Sequence, residues 1–398
     1  MTTTTDAVVI GGGIMGASIL YNLSARGVPG VLLERDTLGS GSTGRSSAAV
    51  RMHYITEVNA RLAWESLKVF QNFDDVVGGG DPGFVNTGYM VIVPEDRFEG
   101  FRRNIAMLRS IGISTSIITR QEAQDLAPSF HLDDNEAFAW EPESGHADPS
   151  GTALAFTTRA REKGARVVLR SPARRVEIRN GCVTAVVTDT ERYETPVAVV
   201  ATGPWSPQFL GGLGIDLPLR VTRNQVILLR RSIDRVPSHP GAGDHSKLTY
   251  FRTEGKDLTL VGHGGYSDEE VEPEGFNPDA TMDFANDIWQ KLARRIPAMA
   301  EAELFTGYAG LYTSTPDYHS VIDKVDGIEG LYICTGFSGH GFKESPAAGI
   351  VMAELILDGE ARTIDITSLR LNRFRDGDLT PTESNFRAAQ NLVGQIPL

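Results

Sequence analysis

The stretch from Ala7 to Asp36, AVVIGGGIMGASILYNLSARGVPGVLLERD, restricts the fold of this chain more than any other segment. Val8, Val9 and Ile10 are β-branched and apolar, the composition of a strand covered on both faces. Gly11, Gly13 and Gly16 follow with G-x-G-x-x-G spacing. Gly11 permits the tight turn, Gly13 lets the backbone approach a pyrophosphate, and Gly16 lets the next helix lie close to the strand. Ile14, Ala17, Leu20 and Leu23 recur at helical spacing, Gly27 stops the helix, and Val31 to Leu33 form a second strand before Glu34. A pyrophosphate would sit on the helix N-terminus, against free N–H groups and the positive end of the dipole. Glu34 stands where a carboxylate takes a ribose 2'-hydroxyl and repels a 2'-phosphate, so FAD or NAD is favoured over NADP.

At 398 residues the chain is long enough for two domains, each with its own core. Its 51 acidic against 38 basic side chains give a net charge of -13 and a pI of about 5.2. That balance speaks against nucleic acid or an anionic membrane as the main partner, so basic groups that capture an anionic substrate must be concentrated in the site. Cys182 and Cys334 each sit in an apolar, strand-like run, so neither a disulfide framework nor a zinc set is expected. MTTTTD lacks the basic start of a secretory signal, and no apolar run reaches the roughly twenty residues that span a bilayer. The expectation is a soluble protein of the reducing cytoplasm.

Texture alternates along the chain and predicts two interleaved domains. Cofactor-domain material spans 1–77, including the loop GSGSTGRSSAAVRMHY from Gly39 to Tyr54 and a helix from Val58 to Phe73. Residues 78–144 read as the first piece of a substrate domain. Residues 145–218 return to cofactor material, with a helix and strand in ADPSGTALAFTTRAREKGARVVL and a buried strand in PVAVVATGPWS. Residues 219–309 are again strand-rich, with a hairpin turn near Glu254 to Asp257. Residues 310–375 complete the cofactor domain and 376–398 form a tail. In the third cofactor piece Leu331 to Cys334 form a strand and Gly336 to Gly341 a loop, after which Ser345 and Pro346 cap and start a helix. Its N-terminus would face the cleft and stabilise negative charge on a reduced flavin.

Five pieces, GGGIMG at Gly11, GRSSAAVR ending at Arg51, ATGPW at Ala201, LYTSTPD at Leu311 and GFSGHGFK at Gly336, together resemble the glycine/D-amino-acid oxidase (DAO) family of FAD enzymes over nearly the whole chain. Within that family the chain resembles the sarcosine oxidases, monomeric and β-subunit. The resemblance implies an α/β fold: a discontinuous Rossmann-like FAD-binding domain with a second domain built on a mixed β-sheet. It implies FAD contacts from Gly11, Gly13, Ile14, Met15 and Gly16, from Glu34 and Arg35, and from Ser42, Thr43, Arg45, Ser46 and Ser47. Further along it implies contacts from Val176, Ala201, Thr202, Gly203, Trp205 and Gly310, and from Gly336, Gly339, His340, Gly341, Phe342 and Lys343. Arg51 and Lys343 match the pair that holds the substrate carboxylate, a task suited to a guanidinium fork and an ammonium. His263 matches the family's active-site histidine, Tyr312 its site tyrosine, and Tyr250 is a weaker match.

Two departures bear on the chemistry. Gly310 stands where monomeric sarcosine oxidase carries the cysteine bonded to its flavin, so FAD is expected to be noncovalent. The family's oxygen-activating lysine aligns near Thr259, and its loss brings an electron acceptor other than O2 into consideration. The expected reaction is oxidation of the C–N bond of a secondary amino acid, N-alkyl or cyclic, by hydride transfer to flavin N5, without a metal. A D-amino-acid dehydrogenase or oxidase acting on primary amines, and a flavin-bearing subunit of a hetero-oligomeric amine dehydrogenase, are the competing expectations. A nicotinamide dehydrogenase would account for the N-terminal motif but not for GFSGHGFK. The expected partners are an amino acid carrying a carboxylate and O2 or another acceptor, with oligomerisation left open.

Overall fold

The computed structural model describes residues 2–265 and 267–380, so most of the tail expected at 376–398 lies outside the described residues. Val8–Ile10 sits inside a six-stranded sheet in the order Arg166–Val168, Val31–Leu33, Val8–Ile10, Ala198–Val200, Leu331–Thr335, Val321–Lys324. Every pairing in it is parallel except the last. Parallel strands need helical crossovers on both faces, which is why Val8–Ile10 and Ala198–Val200 are apolar throughout and buried.

The chain leaves Val8–Ile10 towards one edge of this sheet and later reaches Ala198–Val200 on its other side. Such a reversal opens a crevice at the carboxyl ends of the strands. Helix Ile14–Ala25 starts there, with helices Pro149–Glu162 and Gly341–Leu357 packed on it. Two glycines make the contact possible. A Cβ at Gly16 would lie 1.9 Å from the Gly11 carbonyl oxygen, and one at Gly349 would lie 2.1 Å from Ser18 Oγ.

A mixed eight-stranded sheet carries the second layer, in the order Glu303–Ser314, Arg220–Arg230, Leu258–His263, Thr249–Glu254, Gly241–Asp244, Tyr89–Pro94, Glu136–Glu141, Ser116–Ile118. Glu303–Ser314 runs unbroken through the boundary expected at 309/310. Register fixes which side chains share a face. Tyr250 stands opposite Gly262, Gly262 opposite Val226, Val226 opposite Tyr308, and Thr222 opposite Tyr312, so these positions share one face, and Val226, Tyr250 and Tyr312 line the crevice of the six-stranded sheet. Thr249, Phe251, Thr259, Val261 and His263 occupy the other face, against helix Met282–Arg295. A four-stranded sheet of Thr2–Thr4, Arg192–Glu194, Cys182–Val187 and Arg175–Arg179 completes the cofactor side.

The helix after Leu331–Thr335 begins earlier than its sequence suggests. It runs Gly341–Leu357 with His340 at the N-cap, so Ser345 and Pro346 are interior rather than starting residues. Pro346 has no N–H to give the Phe342 carbonyl, and the Ser345 hydroxyl donates to that oxygen instead at 2.8 Å. No helix among the described residues is long and apolar enough to cross a membrane.

Candidate active site

A cleft of about 720 Å³ opens at the crevice, its walls drawn from every segment that meets there. At its floor a Cβ on Gly11 would fall 2.4 Å from the Ala201 carbonyl oxygen, and Gly11 itself has φ +114°. Both facts demand glycine. Loop residue Thr43 accepts the Ile14 N–H through Oγ1 at 3.0 Å, and the Ser42 hydroxyl donates to the Leu311 carbonyl at 2.7 Å. The glycine–serine loop is thereby tied to the helix start on one side and the long strand on the other.

Glu34 is buried at the end of its strand, and its two oxygens accept the N–H groups of Gly12 at 2.6 Å and Asp36 at 2.7 Å. Each carboxylate oxygen keeps a second lone pair, so the fixed group can still take a diol. Beyond it the cleft is closed by a clasp that the sequence did not suggest. Glu274 accepts from Arg35 at 2.6 Å and from Trp205 Nε1 at 2.8 Å, and the Arg35 guanidinium lies 4.3 Å from the Trp205 ring centre.

The opposite end is aromatic. Tyr250, Tyr312 and Phe342 line it, and the hydroxyls of Tyr250 and Tyr312 hydrogen-bond to each other. Burial pushes both phenols above their ordinary range, so both stay protonated donors. The Tyr312 ring rests on Gly339, where a Cβ would come within 2.4 Å of it.

Next to this end, Arg51 and Lys343 converge on the Tyr54 ring at 5.1 and 6.0 Å. Arg51 also donates to the His53 carbonyl and hydrogen-bonds Tyr89. Lys343 is 6% exposed and forms no ion pair among the described residues. Burial, and then Arg51, push its ammonium well below the ordinary lysine range. His340 meets Tyr54 edge-on, and burial followed by the charges of Lys343 and Arg51 keeps it neutral.

Most of the cofactor residues expected from sequence lie on the cleft wall, from Gly11, Gly13, Ile14 and Met15 through Arg45, Ser46 and Ser47 to Thr202, Gly203, Gly310, Gly336 and Gly341. Gly16, His340, Lys343 and Arg51 stand behind or beside the wall rather than on it. Three expectations are corrected. Val176 packs into the core beneath the four-stranded sheet, and Pro172 to Arg175 line the cleft in its place. His263 belongs to the face away from the cleft, where its Nδ1 accepts the Gly265 N–H and its charged neighbours are Lys291 and Asp287. Thr259 shares that face, buried and bonded to His239, so it does not border the cofactor cleft. The residues missed include Asn224, Val226, Glu274 and Phe276. The alternation of the Arg220–Arg230 strand could have found the first two, whereas the clasp comes from a loop with no periodicity.

The donor set suits FAD: a fixed carboxylate for a ribose, a glycine turn and helix start for a pyrophosphate, and a glycine-floored aromatic end for a flat ring system. Comparison with known proteins agrees. The family described as FAD dependent oxidoreductase (DAO) matches residues 6–355. Mouse sarcosine dehydrogenase is 25% identical over 386 residues, covering 94% of this chain but 42% of its own, so the chain spans less than half of that relative's length. FAD-dependent oxidoreductase domain-containing protein 1 of Xenopus laevis is 28% identical, covering 93% of this chain and 82% of its own. Among solved structures, L-proline dehydrogenase from P. horikoshii superimposes with a TM-score of 0.88 at 28% identity, covering 96% of this chain and all of the other.

Proposed function

Because the chain belongs to the FAD dependent oxidoreductase (DAO) family, whose relatives act on amino acids and amines, we propose that it oxidises the C–N bond of a secondary amino acid, N-alkyl or cyclic. The observation that carries this reading is the buried Lys343 ammonium beside Arg51, with no ion pair of its own among the described residues. A buried cation without a counter-ion is costly, and a substrate carboxylate supplies what is missing. Arg51 and Lys343 hold that carboxylate, the guanidinium by a forked hydrogen bond and the ammonium as a point charge. The same two charges disfavour a third nearby, so a bound ammonium gives up its proton more readily and the amine becomes neutral. The Tyr250–Tyr312 pair and Phe342 wall off water at the reacting end. FAD, when bound, supplies the hydride acceptor at N5.

Secondary amines are favoured because sarcosine dehydrogenase and L-proline dehydrogenase are both among the relatives. Gly310 offers no thiol, so the FAD is held noncovalently through Glu34, the glycine turn and the Arg35–Trp205–Glu274 clasp. On the cleft side of Leu258–His263 stand Leu258, Leu260 and Gly262, none of them a cation. This supports an electron acceptor other than O2. The two cysteines, Cys182 and Cys334, form no disulfide, which suits a cytoplasmic setting.

Anaerobic titration of the FAD-loaded protein with N-methyl, cyclic and primary D-amino acids tests the reading, followed by admission of air. Bleaching by the first two classes and slow recovery in air are expected. Bleaching by primary D-amino acids alone would replace the substrate class, and no bleaching by any amine would leave an electron-relaying subunit.

A further inference from the structure

A short crossover, residues 315–320, carries the chain from strand Glu303–Ser314 of the eight-stranded sheet to strand Val321–Lys324 of the six-stranded one. The cleft loop from Gly336 to His340 rests on this crossover. Ser314 bridges Phe337, and the Ser338 N–H donates to the Thr313 carbonyl at 2.9 Å. The Ser338 hydroxyl donates to the Gly336 carbonyl at 3.1 Å and accepts the Thr315 N–H at 3.3 Å. Gly336, Phe337, Ser338 and Gly339 all line the cofactor cleft, and Gly339 carries the Tyr312 ring.

Two residues here hold a backbone conformation that side chains avoid. Ser338 has φ +49° and Tyr318 has φ +58°, and neither is a glycine. Such conformations persist where the surroundings over-determine them. At the crossover those surroundings come from the C-terminal segment.

Asp317, 3% exposed, gathers donors from both sides. Arg373 donates from Nε to Oδ2 at 2.8 Å and from Nη2 to Oδ1 at 3.0 Å. The Thr380 N–H reaches Oδ2 at 3.2 Å and the His319 N–H reaches Oδ1 at 3.3 Å. The Thr315 hydroxyl lies 3.0 Å from Oδ1 and 2.7 Å from the His319 carbonyl, which also accepts Arg373 Nη2 at 2.7 Å. Arg373 is fully buried and directs Nη1 to the Arg370 carbonyl at 3.0 Å. Burial acts to raise the Asp317 carboxyl, but the bonds and charge of Arg373 prevail and hold it below the usual carboxylate range. The segment is pinned again where the Leu371 N–H donates to Asp323 Oδ2 at 2.7 Å.

A buried ion pair adds little net stability over an apolar pair of the same shape. What this one adds is direction. The guanidinium fork orients the carboxylate, the carboxylate orients Thr315 and His319, and the Thr315 N–H meets Ser338. No described residue from 364 to 380 lines the cleft, so the segment reaches it only through the crossover.

We propose that Arg373 is a positioning residue for FAD: by gripping Asp317 it fixes the crossover and, through Thr315 and Ser338, the loop that walls the cofactor cleft. The C-terminal segment is then part of the cofactor site without touching the cofactor. The proposal depends on FAD occupying the cleft and not on which amine is oxidised.

Two readouts on the FAD-bound protein test it: FAD release on dilution, followed by flavin fluorescence, and the visible circular dichroism of the bound flavin. Arg373→Gln should release FAD about tenfold faster than wild type and change the dichroism, the scale of a lost hydrogen bond to a charged group. Thr315→Val keeps the side-chain shape and breaks the path beyond the ion pair, so release should be about threefold faster. Should Arg373→Gln not fold, the double variant Asp317→Asn/Arg373→Gln strands no charge, and the same tenfold change is expected of it. Leu292→Ala is the control, because it opens a cavity in the core against helix Met282–Arg295, away from the cleft. It should lower the unfolding temperature and leave release and dichroism as in wild type. Wild-type release and dichroism in the folded Arg373, Asp317 and Thr315 variants, or the same changes in Leu292→Ala, overturn the proposal. Neither readout involves an amine, so failure of the substrate reading leaves this test intact.

Discussion

The Tyr250 ring lies against Gly262 on the neighbouring strand, where a Cβ would come within 2.4 Å of Cζ. Gly262 thus holds the Tyr250–Tyr312 hydroxyl pair at the reacting end of the cleft without touching the cofactor. Gly262→Ala should push the ring out of place and lower kcat/KM about tenfold while FAD affinity stays as it is. Steady-state kinetics together with a flavin titration check this.

Gly16 has no such latitude, because its absent Cβ would overlap the Gly11 carbonyl at 1.9 Å. Gly16→Ala must move the helix off the strand and spoil the phosphate turn. We expect a stability loss of about 3 kcal/mol and no FAD retention, read from thermal unfolding and the colour of the purified protein.

In the proposed mode of FAD binding Glu34 anchors the ribose end through a charge-assisted contact. Glu34→Ala removes it and also strands the Gly12 N–H, so the FAD Kd should rise about 10- to 100-fold. Ultrafiltration or fluorescence recovery of free FAD measures it.

His239 ties acid stability to the second core. It lies between the Phe130 and Phe251 rings, donates from Nδ1 to the Pro240 carbonyl and accepts from Thr259, a pattern that needs the neutral ring. Burial pushes it down to about 4 from an ordinary 6.5. The unfolded chain then binds more protons between those values, so stability is complete above about 6.5 and falls as the pH drops towards 4. The loss attributable to this group is about 3 kcal/mol at most. Urea unfolding at several pH values, wild type against His239→Gln, should show a difference confined to that window.

How much of this was legible in sequence depends on the kind of constraint. The cofactor turn was readable because its glycines, helix and acid are contiguous, and each is required by a local steric or charge condition. The start of helix Gly341–Leu357 was not readable. Ser345 and Pro346 look like capping residues, while Gly341 looks like loop, and tertiary contact decides between them: a Cβ at Gly341 would press on Met15 Cε at 3.0 Å. His263 shows a second limit. Family likeness placed it in the site, yet strand alternation alone puts it on the opposite face from Tyr250 and Gly262.

The most direct test of the account compares sarcosine with its carboxamide as reductants of the FAD-loaded protein under argon. If Arg51 and Lys343 capture the carboxylate, the acid should bleach the flavin at least ~100-fold more efficiently than the amide, and Arg51→Ala and Lys343→Ala should each erase most of that preference. Equal bleaching by the two compounds, or a preference unchanged in both variants, would contradict it.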